Sequence, residues 1–554
     1  MQPSILLCLI LALVAVAQHD FSHIRSFRKV RDGARSALEH SPLGREKLEQ
    51  HFGRFGLSFD RIERNRKAFG RRHERFHRKM KGKGRRPDSP GRRPHFKRKE
   101  EEIEKGHENS EIARASIFDL NSEILPYLYG GDMVLSEHQV TQFEKEEDEA
   151  DKDVSLEDAD KKEVSLEKAD PPSRRRRGAP IINLHYWNIS VPISYTISTS
   201  ITDAKAKEAI RKATMKIAFN TCINFLENGA TTQTKLEYFK GQGCYSSLGK
   251  MNKDQQISIG EGCGSVGIIS HETMHALGID HTQTSRRRLT HGDKISVYRK
   301  DRDNFVEINA DSIKESALGN FEKNSEKAND NFGISYDYGS IMHYGAFEFS
   351  SSSKPALVPE EIGFADTMGQ RLRVSFNDYK MINALYNCSS QCHLVPDCKN
   401  GGYPNPRNCS RCFCGDFFDG DHCENQRHAV NVTTTRNITF ATEYDQTLNK
   451  AADNTNFDLF TRSMPTIVKV PEGRKLNVTF NKIYGGFGQL PCYAMCPFYA
   501  VEIVDGRDLN RSGERFCCLK DQGKTLIFSG NVVGFKAYAS PGMPFEVSVS
   551  FTLI

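Results

Sequence analysis

The chain has 554 residues, 38% hydrophobic, 27% charged and 10% aromatic, with a formal net charge of +6. At about 100–200 residues per domain this allows roughly three or four domains and excludes a single small module. Only residues 1–17 approach an uninterrupted apolar run, short of the ~20 residues a membrane-spanning helix needs, which excludes a multi-pass membrane protein.

Met1 to Ala17 joins a short apolar core to small residues at Ala15 and Ala17, the pattern of a secretory signal peptide. With no second apolar segment, a secreted, extracellular protein is expected. Residues 18–177 contain no cysteine, whereas 178–554 contain 14, an even number suited to disulfides made in an oxidising compartment. Asn-x-Ser/Thr sites at Asn188, Asn387, Asn408, Asn431, Asn437, Asn477 and Asn510 fall in the same region and are candidate glycan acceptors.

The net charge is local and does not indicate nucleic-acid binding. Residues 61–100 hold 18 Lys/Arg against 4 Asp/Glu, and residues 144–170 hold 5 against 13. So polar a stretch is expected to stay largely disordered, because it cannot offset the entropy of folding. The ten-residue duplication within 151–170 reads as a charged linker. Arg174–Arg177 then precede Gly178, an accessible target for a basic-specific processing protease. Cleavage after Arg177 would remove residues 18–177 as a propeptide.

Thr202-Asp203 opens a segment with Ala206, Ile210, Ala213 and Ile217 at helical spacing, a backing helix that ends before Cys222. The chemistry is concentrated at residues 265–281. His271 and His275 are i and i+4 on one helix face, so both imidazoles can hold one ion. Glu272 flanks that ion and can take a proton from water. Gly278 can end the helix in a left-handed turn, which brings His281 back as a third ligand. Three nitrogen ligands leave an open position, the arrangement of a catalytic zinc site.

These residues, with Gly339-Ser-Ile-Met342-His-Tyr344-Gly345, Gly243-Cys244-Tyr-Ser246 and Ile382-Asn-Ala-Leu-Tyr386, resemble the astacin family of zinc metalloendopeptidases, within the metzincins. The resemblance runs from Ala179 to Cys388. It implies an α+β, two-lobed metzincin protease domain over residues 178–389, with a catalytic helix, a twisted sheet and one zinc per subunit. It also implies an apolar floor at Met342 and a displaceable further zinc ligand at Tyr344, whose hydroxyl can support the oxyanion. On the family pattern Cys222 pairs with Cys388 and Cys244 with Cys263. In the propeptide, Tyr129-Gly-Gly-Asp132 is similar to the aromatic-x-Gly-Asp motif of astacin propeptides, which implies that Asp132 occupies the open zinc position in the zymogen only. Three departures stand out. Thr282 replaces the usual Glu, Ile279 the usual aromatic, and Asp301-Arg302-Asp303 arrives about fourteen residues late, so segment 285–298 is extra.

Ser375 with Asp378 starts a final helix towards Cys388. Cys392, Cys398, Cys409, Cys412, Cys414 and Cys423 lie in a segment too short for an adequate core, and resemble an EGF-like module over 390–424. That resemblance implies first–third, second–fourth and fifth–sixth pairing. Residues 428–554 are strand-rich and resemble a CUB-type β-sandwich, with Cys492 and Cys496 bridging Cys517 and Cys518 in an open order. Together these features predict a secreted zinc endopeptidase that acts on extracellular or matrix proteins. The alternative is a catalytically silent binding protein that works through its C-terminal modules, whose partners would be matrix proteins or glycans.

Overall fold

The structure, a computed structural model, describes residues 45–83, 92–107, 116–141, 144, 186–230, 233–283, 301–322, 332–442, 461–462, 464–485, 495–539 and 545–554. The expected signal peptide at residues 1–17, the duplication, Arg174 to Gly178, segment 285–298 and Cys492 lie outside the described residues.

The expectation of a largely disordered propeptide is wrong for much of residues 45–141. Three helices form there, α1 (Arg45–Phe52), α2 (Phe59–Lys83) and α3 (Arg92–His107). They are followed by a single capped turn, α4 (Ile117–Leu120), and a short strand, β1 (Met133–Val134). Composition misleads because the apolar residues of α2 form a stripe. Ile62, Ala68, Phe69 and Phe76 recur at helical spacing and are all buried. The partner surface supplies the missing core. Leu48, Phe52, Phe55 and Leu57 cluster with Phe239 and Tyr245 of the peptidase sheet, and each such burial contributes about 1.5–3 kcal/mol. The inward-facing arginines are also paired. Arg75 Nη2 lies 2.7 Å and Arg72 Nε 3.5 Å from Glu322 Oε2. On the outer face, Arg61 pairs with Glu137 and Arg64 with Glu144.

The peptidase sheet contains β2 (Ile193–Ile197), β3 (Phe225–Glu227), β4 (Leu236–Phe239), β5 (Cys244–Ser247) and β6 (Gln255–Ile259). With β1 the order is β1-β5-β6-β4-β2-β3. The pairings are parallel except for β5 with β6, so the segment before residue 178, termed the prosegment after the sequence expectation, adds a parallel strand to the antiparallel edge strand β5. Behind the sheet lies α5 (Ala204–Asn220), capped by Asp203, which accepts from Lys205 N at 2.9 Å. Its buried face, Ala206, Ile210, Ala213 and Ile217, packs in one core with α6 (Val266–Ala276). Every residue of α6 is buried. The last peptidase helix, α7 (Phe376–Leu385), has the full capping box of Ser375 and Asp378. A Cys222–Cys388 bridge ties the end of α5 to the segment after α7. Closing 166 residues of separation contributes about 5 kcal/mol in the chain-entropy model.

Beyond the peptidase, three bridges pin residues 392–423: Cys392–Cys409, Cys398–Cys412 and Cys414–Cys423. The C-terminal unit is two sheets face to face around one core. One sheet orders Ala429–Asn431, Thr466–Lys469, Val532–Ala539, Tyr499–Asp505 and Glu514–Phe516; the other orders Arg436–Thr442, Phe545–Leu553, Leu476–Gly485 and Thr525–Phe528.

Candidate metal centre and active site

Helix α6 begins at Ser265, whose hydroxyl accepts from Ile268 N at 3.2 Å. One turn before its end, His271 and His275 project together. Their Nε2 atoms are 3.1 Å apart. The helix stops at Gly278, which holds a φ of +96°, a conformation that side-chain-bearing residues rarely adopt. Gly278 N donates to His275 O at 2.8 Å and Ile279 N to Met274 O at 3.0 Å. The reversed chain then carries His281 back beside the first two rings, 4.7 and 5.4 Å from them centroid to centroid.

Backbone carbonyls fix two of the tautomers. His271 Nδ1 lies 2.8 Å from Ile341 O, and His275 Nδ1 lies 2.7 Å from Ile279 O. A carbonyl only accepts, so each Nδ1 carries the proton and each Nε2 presents a lone pair. Burial pushes His271 and His281 below the ordinary imidazole range, with partial opposition from Asp132. The result is a fully buried pocket of lone pairs facing one another. Asp132 enters it from the prosegment, with Oδ2 at 3.0 Å from His271 Nε2 and 3.1 Å from His281 Nε2, and Oδ1 at 3.4 Å from His275 Nε2. One ligand atom from each of the four residues lies within 4.8 Å of the others. Three imidazoles and one carboxylate crowded this closely, with two of the rings held by backbone carbonyls, are a donor set suited to zinc.

The prosegment reaches this depth because two glycines lead it in. Gly130 and Gly131 hold φ values of +60° and +88°. A Cβ on Gly130 would come within 3.1 Å of His281 Nδ1, and one on Gly131 within 2.7 Å of Phe349 Cζ. Tyr344 donates its hydroxyl to Gly130 O at 2.7 Å, so that oxygen faces the prosegment backbone. Tyr129 accepts from Arg72 at 3.1 Å.

Glu272 is fully buried, and neither of its carboxylate oxygens has a hydrogen-bond partner among the described residues. Burial first, and the Asp132 charge second, push it well above the ordinary carboxyl range; the Arg371 guanidinium pulls the other way. Met342 is buried in the turn after Ile341, in the same apolar core as Met274 and Ala276 of α6. Asp378 holds that turn by accepting from Ser340 Oγ at 2.6 Å and Ile341 N at 2.8 Å. The departure at Thr282 is accommodated within the site. Its N–H donates to Met342 O at 3.0 Å and its hydroxyl to Ser340 Oγ at 2.9 Å.

The structure thus brings together Asp132, His271, Glu272, His275, His281, Met342 and Tyr344. It pairs Cys222 with Cys388, Cys244 with Cys263, and Cys496 with Cys517. Asn188, Asn387, Asn408, Asn431 and Asn437 are exposed, whereas Asn477 and Asn510 are half-buried. Asn510 Nδ2 already donates to Asn400 O at 2.8 Å. Sequence reasoning missed Arg371 and Gln283. Arg371 belongs to no motif, and its influence on His271 and Glu272 appears only in three dimensions. Gln283 accepts from Tyr344 N at 3.0 Å, across a loop whose length no local pattern reveals.

Residues 182–387 match the family model described as Astacin (Peptidase family M12A). The chain is 32% identical to high choriolytic enzyme 1, a hatching enzyme zinc-protease of the medaka fish Oryzias latipes, over 94% of that chain and 37% of this one, with a TM-score of 0.31. Residues 182–387 are an astacin-family domain. Other astacin-family relatives include zinc metalloproteinase nas-31 of Caenorhabditis elegans, 31% identical over 74% of this chain and 62% of the relative. Zinc metalloproteinase nas-37 of the same nematode is 42% identical over 39% of this chain and 26% of the relative. The chain spans between 46% and 62% of the length of the first three curated nematode relatives. Zinc is the metal these relatives' names carry, and the buried His/Asp group of this chain fits it.

Proposed function

We propose that this chain is a secreted zinc endopeptidase made as a zymogen, with extracellular or matrix proteins as substrates. The observation that carries the reading is the convergence of three Nε2 atoms beside the unpartnered Glu272 carboxylate, with Asp132 filling the remaining side. His271, His275 and His281 would hold the zinc, which supplies Lewis-acid polarisation of the scissile carbonyl.

The chain's own groups do the rest. Glu272 takes a proton from the attacking water and passes it to the leaving amine, so the C–N bond breaks without a free amide anion. Once the prosegment leaves, the Tyr344 hydroxyl is released from Gly130 O and can donate to the developing oxyanion. Met342 keeps the floor apolar, and Ile341 O keeps His271 in the ligating tautomer. In the zymogen, Asp132 occupies the place where water must stand. A processing protease cutting after Arg177 would free Gly178 as the new N-terminus. On this reading residues 390–424 are an EGF-like module and 428–554 a CUB-like domain, offering surfaces to protein or glycan partners. The five exposed sequons are the ones free to carry glycans.

Glu272→Gln tests the reading. In the processed chain it should keep stoichiometric zinc and lose casein hydrolysis by roughly three orders of magnitude or more. Near-normal cleavage by that variant, with zinc bound, would sink the mechanism. A wild-type processed chain that binds zinc and cuts nothing would favour a silent binding protein.

A further inference from the structure

The C-terminal sandwich reaches the turn that carries Met342. Ser512 N donates to Asp337 Oδ1 at 3.0 Å, and the same oxygen accepts from Gly339 N at 3.1 Å. Gly513 O accepts from the Thr367 hydroxyl at 2.9 Å. Space at this contact is fully used. A Cβ on Gly339 would collide with the Cβ and Oγ of Ser512. Nearby, a Cβ on Gly369 would meet Met495 Sδ at 3.0 Å and the Gly345 backbone at 2.5 Å. Gly345 directly follows Tyr344.

The loop is itself anchored from below. Gly513 N donates to Glu502 Oε1 at 2.9 Å. Fully buried Glu502 lies 2.8 Å from Lys536 Nζ, 3.5 Å from Arg515 Nε and 3.6 Å from Arg373 Nη2. Arg373 belongs to the peptidase, and it also pairs at 2.9 Å with Asp416 of the small disulfide-bonded unit. Three parts of the chain therefore meet in one charge cluster whose top edge is the Ser512–Gly513 loop. From there the connections to His271 are short. Asp337 fixes Gly339; Asp378 fixes Ser340 and Ile341. Ile341 O then receives the His271 Nδ1 proton at 2.8 Å.

We propose that the Ser512–Gly513 loop of the sandwich is a positioning element for the metal centre. It clamps the 337–342 turn that orients His271 and places Met342, so the peptidase reaches its working geometry only with the sandwich docked. This rests on the zinc-peptidase reading but adds to it, because the sandwich then governs the reaction even for substrates too small to touch its outer surface. Partners that hold a metal-ligating histidine are worth about 10–100-fold in metal affinity or activity, and the clamp acts one step behind such a partner.

The test uses the full chain, processed, with three readouts: zinc release to a competing chelator, the visible spectrum of the cobalt-substituted protein, and cleavage of a short peptide. Gly339→Ala forces the turn away from Ser512. The expected result is faster zinc release, an altered cobalt band, and a kcat about 10–100-fold lower with KM little changed. Adding Ser512→Gly removes the two closest atoms, leaves the milder Thr367 Cγ2 contact at 3.1 Å, keeps the N–H that reaches Asp337, and should restore most of all three readouts. Wild-type behaviour of Gly339→Ala would overturn the proposal. So would a defect that Ser512→Gly does not relieve, since the fault would then lie within the turn. If Gly339→Ala is not secreted, Thr367→Val deletes the bond to Gly513 O without adding volume. A change in the same direction supports the clamp, and unchanged readouts overturn it. Wild type that holds zinc without hydrolysing would refute the peptidase reading alone, and the cobalt spectrum would still decide the clamp.

Discussion

The prosegment and the C-terminal sandwich both pack on the peptidase, but with different chemistry. The prosegment lies across the histidines through side chains: an apolar stripe, arginines on Glu322, and Lys99 on Glu360 at 2.8 Å. Its backbone joins the sheet over a short stretch: Met133 and Val134 pair with β5, and Asp132 O accepts from Ser246 N at 3.0 Å. The sandwich docks through its main chain at Ser512 and Gly513, and through a carboxylate buried among three cations. A cover held mainly by side chains can be removed and leave the few backbone groups it touched, such as those of Cys244 and Ser246, open to water. A cover that supplies backbone donors and acceptors cannot leave without stranding buried partners.

The sharpest way to break that contrast is to stop processing. Changing Arg174–Arg177 to alanine should leave a larger secreted form with activity reduced by roughly three orders of magnitude or more. Adding Asp132→Ala to this chain vacates the carboxylate's place. From composition alone, little else should hold the cleft shut. The helices argue against that expectation, since Phe52, Phe55 and Phe69 are buried at contacts that do not involve Asp132. The double variant should therefore recover no more than roughly a few per cent of processed activity on protein substrate. Recovery to near the processed level would mean that the helices contribute nothing to latency.

A smaller effect separates the covers by stability. Phe52→Ala should destabilise prosegment docking by about 3–5 kcal/mol, seen as faster hydrogen exchange in α1 and α2. It should leave the processed enzyme's melting temperature unchanged. A lowered melting temperature in the processed form would show that the prosegment is also needed to reach the final fold.

The smallest expected effect is acid sensitivity. Burial, then Arg72, press His73 down to about 3, against Glu322, which raises it. Its Nδ1 accepts from Gly319 N at 2.6 Å, which a protonated ring could not do. The folded value lies below the unfolded one, so the contribution is complete above pH 6.5 and is lost as pH falls from there towards 3. The loss approaches about 1.4 kcal/mol per pH unit, reduced by the ring's solvated edge. Glu502 behaves differently. Burial raises it, but Lys536, Arg373 and Arg515 outweigh that and bring it to about 2. Its contribution is present above pH 4.5 and declines only below it. Between pH 6.5 and 5, limited proteolysis should therefore reach α2 before the Tyr499–Asp505 strand. The reverse order would invert the comparison.

The parts legible in the sequence are the local ones. His271, Glu272 and His275 declare themselves because helical spacing turns sequence distance into direction, and Gly278 marks where the chain turns back to His281. Ser375 and Asp378 announce α7 for the same reason. The prosegment was misread because its stabilising partners are far away in sequence: Glu322 for Arg75, and Phe239 and Tyr245 for Phe52. Composition counts charges without knowing whether a distant segment supplies the counter-charge. Arg371 and Ser512 were invisible because each acts through a contact that only tertiary folding creates.

Maturation on the proposed route would also change the sheet. Without β1, strand β5 becomes an edge whose N–H and C=O groups face water. Exposed edges invite pairing with any extended chain, productive or aggregating. This one is four residues long, and the Cys244–Cys263 bridge pins it at one end. So short and fixed an edge cannot slide in register or recruit a long foreign strand. On the proposed reading it would guide a brief extended stretch past the histidines and so favour cutting where a target protein is already locally unfolded.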